Sequence, residues 1–269
     1  MMSRPFPVLV CLAPALFSLG GLLGGGAVGV CHAVEPAATA AANSASLPLL
    51  RMTFVEPGRG QPSVPAIEID QAGGVRISPD GRQLFEAPAL SRAEMARLLD
   101  DLVRAHRILE VDSRQLQFQL DDVSRSSGLS AQIPGAASTL VELNWDGQAY
   151  RIECPAVGLL SRRFPQIEDL QRLAAVQGRL QNLVAVSQVG GFPAAETLAR
   201  EGTAQLRQDD PRANPLTSRD LSMVRTLPDG SQFIQFYRES RPQPTIVTLT
   251  RFPDAGRRVS VFNGAGEVR

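Results

Sequence analysis

The chain has no lysine: all 27 of its basic residues are arginine, set against 27 acids. That absence removes whole mechanisms, because there is no P-loop lysine, no Schiff base and no Ser–Lys dyad without a side-chain amine. Histidine and cysteine are nearly as scarce, at 2 and 3 residues. Cys11, Cys31 and His32 fall within the first 33 positions, so the remainder carries one thiol, Cys154, and one imidazole, His106. A His/Cys zinc site lacks ligands, HExxH does not occur, and Cys31-His32 lacks the preceding spacing for covalent haem. Past residue 33 no internal disulfide can form. A formal net charge of zero supplies no basic surface to displace counterions, so nucleic acid is not expected as a partner.

The start of the chain reads as a secretory leader. Arg4 is a positive n-region, Pro7–Val30 is an uncharged run rich in Leu, Val and Gly, and Cys31-His32-Ala33 offers a small-x-Ala cleavage site, with a second at Ala38-Thr39-Ala40. Residues 1–33 are therefore expected to be a signal peptide, and the mature protein to be exported to the periplasm or beyond. The run is long enough to stay as an uncleaved membrane anchor, although its glycines weaken a spanning helix. Lipidation at Cys31 is the third route, and Val30 before it fits a lipobox poorly. No later apolar run is long enough to span a bilayer. Residues 34–46, VEPAATAAANSAS, are an Ala/Ser tether expected to be disordered.

From residue 47 the patterns are those of an α+β protein. LLRMTFV (49–55), AIEID (66–70), VRI (75–77) and QLF (83–85) have strand character. Ser91 and Glu94 form a capping box ahead of Met95, Leu98, Leu99, Leu102 and His106, which predicts a helix over about 92–107. LQFQL (116–120) alternates strictly and predicts a half-buried strand, and 123–138 reads as a long polar loop. TLVELNW and QAYRIEC flank Asp146-Gly147, a hairpin signal. A helix is expected from Pro165 to about Ser187, on the stripe Ile167, Leu170, Leu173, Val176, Leu180 and Leu183, and another over 194–208. The segment 209–217 reads as a linker, followed by four strand-like runs that predict an antiparallel meander at 218–263. The expectation is antiparallel sheets with two or three packed helices in a domain at 47–208, plus the small meander.

Two stretches resemble each other: VRISPDGRQLF at 75–85 and VRTLPDGSQFI at 224–234. Each leads a strand into Pro-Asp-Gly and out again, but a capped helix follows the first and strands follow the second. Shared turn chemistry explains the match, with Pro presetting φ and Gly free to take positive φ.

Candidate catalytic groups are few. His106 lies on the apolar stripe at a helix end, where it packs and meets the helix dipole, and no G-x-S-x-G accompanies it. Cys154 shares a strand face with Tyr150 and Ile152 and reads as a buried hydrophobe. The pairs Asp100-Asp101, Asp121-Asp122 and Asp209-Asp210 are sequence neighbours whose side chains point apart. Asp80, Asp146 and Asp229 precede Gly in turns. Arg162-Arg163 and Arg257-Arg258 have the fork geometry for an anion but read as solvated surface. No catalytic, cofactor-binding or metal-ligating residue is assigned, and no cofactor is expected.

The stretches VRISPDGRQLF, LSRAEMARLLDDLVRAHRILEVD and TLVELNWDGQAYRIE, in that order, resemble a group of exported bacterial domains of unknown function. The resemblance covers about half the chain; a C-x-x-x-C-P element common in that group is replaced here by LLRMTFVEPGRG. It implies export and no activity. The expected role is non-enzymatic, a binding or structural module of the envelope in contact with another protein or a wall polymer, with meander edge strands able to accept a partner strand. A carboxylate-based glycan hydrolase is the alternative, and an inhibitor- or chaperone-like factor for a secreted enzyme is a third.

Overall fold

The computed structural model describes residues 48–58, 63–239, 244–253 and 256–263, the side chains at 209 and 257–263 excepted. The leader (1–33) and tether (34–46) lie outside the described residues. Those described belong to one compact unit, Ala45–Arg269. In chain order they form β1 (Leu50–Val55), β2 (Pro65–Ile69), β3 (Val75–Ile77), β4 (Phe85–Ala87), α1 (Arg92–Asp100), α2 (Ser113–Ser127), β5 (Ser138–Trp145), β6 (Gln148–Pro155), α3 (Val157–Arg163), α4 (Glu168–Gln188), α5 (Phe192–Asp209), β7 (Leu221–Thr226), β8 (Gln232–Arg238), β9 (Thr245–Arg251) and β10 (Arg257–Asn263). One sheet has the order β4-β3-β2-β1-β5-β6 and the other β10-β9-β8-β7, and every neighbouring pair is antiparallel. The architecture is α+β, as expected. Among the described residues no helix is long and apolar enough to cross a membrane.

Alternation along each strand of the larger sheet separates a core face from a charged face. Ile77, Ile67, Met52, Val141 and Ile152 lie side by side across five strands, and all are buried. One residue along, on the other face, the register sets Glu86, Arg76, Glu68, Arg51, Glu142 and Arg151 in a single row. The sign alternates at every step. Arg51 reaches Glu68 at 2.9 Å and Glu142 at 3.5 Å, Arg76 also pairs with Glu68, and Arg151 stands 3.8 Å from Glu142. Opposite charges directly across antiparallel strands contribute about 0.2–1 kcal/mol each. They also pin register, since a slip of one residue would turn the row into the core.

The sequence expectation for LQFQL is corrected: residues 116–120 are helical, inside α2. Asp112 caps that helix, accepting from the backbone N–H of Gln115 at 2.8 Å. Leu116 and Leu120, four apart, are buried, whereas Phe118 is 67% exposed. A stretch whose Leu and Gln alternate satisfies both periods, and the cap decides between them. α2 runs on to Ser127 and ends at Gly128, φ 71°, so the loop is shorter than 123–138. Before α4 the chain forms the additional helix α3, and α4 itself begins at Glu168, not at Pro165. α1 passes into a π-helical turn at Asp101–Ala105 that closes on His106.

α4 is the shared support. Its 21 residues extend about 30 Å. Leu170, Leu173, Val176, Leu180 and Leu183 enter the core under the larger sheet, while Ala185 and Val186 join a second core. That second core combines Ala195, Leu198, Ala199 and Leu206 of α5 with Leu221, Ile234, Phe236, Val247 and Leu249 of the meander. Gly202 lets α5 close on β9: a Cβ there would stand 3.0 Å from Leu216 and 3.3 Å from Val247. The 209–217 segment is fastened within this unit. Thr203 Oγ1 accepts from the Leu216 N–H at 2.8 Å, and Arg238 donates to the carbonyls of Asn214 and Pro215.

Asn182, only 6% exposed, ties α4 to the start of β7. Its amide donates to the carbonyls of Ser218 and Leu221, both at 2.8 Å, and its Oδ1 accepts from Arg179 at 2.6 Å. Arg179 and Arg219 both face Asp101, at 3.4 and 3.2 Å. Burial, and then the like charge of Arg219, holds the Arg179 guanidinium below its usual pKa. Removing the amide takes a donor from the Leu221 carbonyl, leaves the Ser218 carbonyl with only the Leu221 N–H, and weakens the support of a buried cation. Asn182→Ala is expected to lower stability by about 2–3 kcal/mol, measured as a lower urea midpoint at unchanged slope through the fluorescence of Trp145, the single tryptophan.

Candidate functional site

A cleft of about 780 Å³ opens between the two sheets. Met52, Ala66, Val184 and Ala185 supply apolar lining, Gln181 and Gln188 of α4 add amides, and the turn after β3 (Ser78–Arg82) faces Ser222–Arg225 of β7. A second hollow of about 600 Å³ continues it past Phe85, Glu86, Ala87 and Pro88 on one side and Val224–Leu227 on the other. The two share Pro79, Asp80, Gln188, Val224 and Arg225, so they form one groove.

The groove follows strand edges. Successive side chains on a strand point to opposite faces, so a cavity lined by Ser222, Met223, Val224 and Arg225 in sequence meets β7 along its rim. The same holds for Phe85, Glu86 and Ala87 of β4. β7 and β4 are the terminal strands of their sheets, and a terminal strand has a side with unpaired backbone N–H and C=O groups. Ser78 adds a polar feature: it is 4% exposed and its hydroxyl has no hydrogen-bond partner among the described residues.

The two similar segments border this groove from opposite sides. Their turns match in detail. Gly81 (φ 69°) donates to the Ser78 carbonyl and Gly230 (φ 80°) to that of Leu227. Asp80 accepts from the Arg82 N–H at 3.0 Å and Asp229 from the Ser231 N–H at 2.9 Å. The sequence match identifies the turn; nothing in it reveals that 75–85 and 224–234 face one cavity, because that depends on where β4 and β7 fall in their sheets.

The other residues singled out from the sequence lie elsewhere. His106 is half-buried at the end of the π-helical turn and does not line the groove. Cys154 is 1% exposed, and burial pushes its thiol up to about 12. Asp100 pairs with Arg104, Asp101 with Arg179 and Arg219, and Asp122 with Arg125. Asp121 accepts from Gln117 and Asp210 from the Arg212 N–H. Asp146 occupies a positive-φ turn position before Gly147. Arg162 and Arg163 are exposed in the last turn of α3, Arg163 donating to the Ser130 carbonyl at 2.6 Å. The side chains of Asp209, Arg257 and Arg258 lie outside the described residues. Among the described residues no group of three or more His, Cys, Asp or Glu is placed to hold a metal ion.

No protein-family model, curated protein or solved structure matches this chain.

Two titrations check the environments described here. A thiol held near 12 stays protonated at pH 8, so Cys154 is expected to resist a disulfide exchange reagent in the native state and to react fully once the chain is unfolded; rapid native labelling would contradict its burial. Asp229 has its pKa lowered, first by the hydroxyl of Ser231 and then by its backbone N–H. A depressed carboxylate adds stability above its unfolded pKa and loses that contribution as pH falls through the folded one. The Asp229 carboxyl resonance is expected to titrate below the ordinary aspartate range, and Ser231→Ala to move its midpoint upward.

Proposed function

We propose that this chain is an exported bacterial envelope protein that acts by binding, and that its ligand is an extended polypeptide segment received between β4 and β7. The observation carrying this reading is the groove lined by consecutive residues of two terminal strands. Such an edge offers main-chain donors and acceptors to an incoming strand, while flanking side chains select among sequences. Apolar lining from Met52 and Val184 and amides from Gln181 and Gln188 suit a peptide, whose backbone is polar and whose side chains alternate.

Support for binding over catalysis comes from the residue inventory. The chain has no lysine, its described histidine lies outside the groove, and Cys154 is a buried, protonated thiol. Of the acids in the groove, Asp80 has its carboxylate engaged with the turn. The leader pattern at residues 1–33 supports export.

The test is a photoreactive amino acid placed at Met223 on the groove wall or at Phe118 on the exposed face of α2, in cells making the full chain. The expected result is a crosslink from Met223 alone, in the envelope fraction, whose mapped attachment site is an extended segment of the partner polypeptide. Equal crosslinking from both positions, or recovery of the chain only as free monomer in the cytosol, would overturn the proposal. So would purified protein that cleaves a wall polymer and stops when one groove acid is neutralised.

A further inference from the structure

We infer that the segment bound in this groove is acidic, with a side-chain carboxylate held between Arg82 and Arg225; this rests on the groove being a strand-binding site. Arg82 follows the turn after β3, Arg225 lies on β7, and both line the same cleft from its two sides. Among the described residues neither guanidinium enters an ion pair. Of the half-buried arginines, Arg51, Arg172, Arg179 and Arg238 each face a carboxylate, while Arg251 faces none among the described residues.

Local acids do not fill the role. Asp80 holds the backbone N–H of Arg82, closing its own turn. Glu56 already has an interaction of its own. Glu86 stands across from Arg76, which pairs with Glu68, and lines only the continuation of the cleft, where Arg82 is absent. Two uncommitted guanidiniums over a partly apolar groove favour a carboxylate, which each can meet through paired N–H donors. Ser78 gives an independent indication on the same wall. Its buried hydroxyl lacks a partner among the described residues, and such groups are ordinarily satisfied. An extended peptide lying beside it supplies carbonyls to accept that proton.

A phage-displayed library of random strand-length peptides, fused so that no peptide has a free C-terminus, is selected on the full chain at low salt. Enriched peptides are expected to share an Asp or Glu at one position and to bind as amidated synthetic peptides. They should protect the β7 amides of Ser222–Thr226 from hydrogen exchange. Arg82→Gln and Arg225→Gln should each weaken binding about tenfold, the loss of a charge-assisted contact, with unchanged thermal unfolding because both side chains are exposed. Arg225→Glu should turn the selection toward Lys or Arg. Ser78→Ala should weaken binding without lowering the unfolding midpoint, which a merely structural hydroxyl would not do. Neutral or basic peptides that protect β7 and bind both glutamine variants equally would overturn the acidic preference and leave the strand-binding site standing. Binding that requires a free C-terminal carboxylate would overturn it likewise. No enrichment, or enriched peptides that leave the β7 amides unprotected, would overturn both.

Discussion

The position of β7 depends on one buried amide. Asn182 sits on α4 with its two protons committed to the Ser218 and Leu221 carbonyls and its oxygen to Arg179. A fully satisfied polar group in a core specifies geometry more sharply than apolar packing, because any shift leaves a donor or acceptor stranded. Here it fixes where the chain enters the meander. The apolar contacts of the second core then set the angle of the sheet, and the groove wall follows from both. The larger sheet is held to the same helix by Leu170–Leu183, so α4 acts as a common ruler for the two edges.

Much of this fold is legible in the residues. The Ser91/Glu94 capping box, the Asp146-Gly147 hairpin and the stripe from Ile167 to Leu183 each have one physical reading. LQFQL does not, because its alternation also places Leu116 and Leu120 on one face of a helix, and only the Asp112 cap distinguishes the two. The charged row was available only in part. Five strands of the larger sheet carry one charge each and β6 carries Arg151 and Glu153; alternating sign is compatible with the observed strand order but does not by itself select it. The groove was not available. Its walls come from residues some 145 positions apart in the chain, brought together by sheet order, which local patterning does not encode.

The scarcity of reactive side chains and the placement of the few that exist point the same way. The described thiol, Cys154, is used as core volume and the described imidazole, His106, closes a helix. Among the described residues most acids are spent on caps, turns and ion pairs. The unpaired backbone at the β4 and β7 edges and the guanidiniums of Arg82 and Arg225, two of several without an ion pair among the described residues, are the groups that the proposed binding would use.

The alternating row on the larger sheet has a consequence for how the molecule behaves at a distance. Three anions and three cations interleaved at strand spacing form a high-order multipole, whose potential decays over little more than the gap between neighbouring charges, shorter than the screening length in physiological salt. The row is dense in charge yet electrically quiet beyond its own hydration layer. Approach and orientation of any charged molecule are therefore left to groups outside the row.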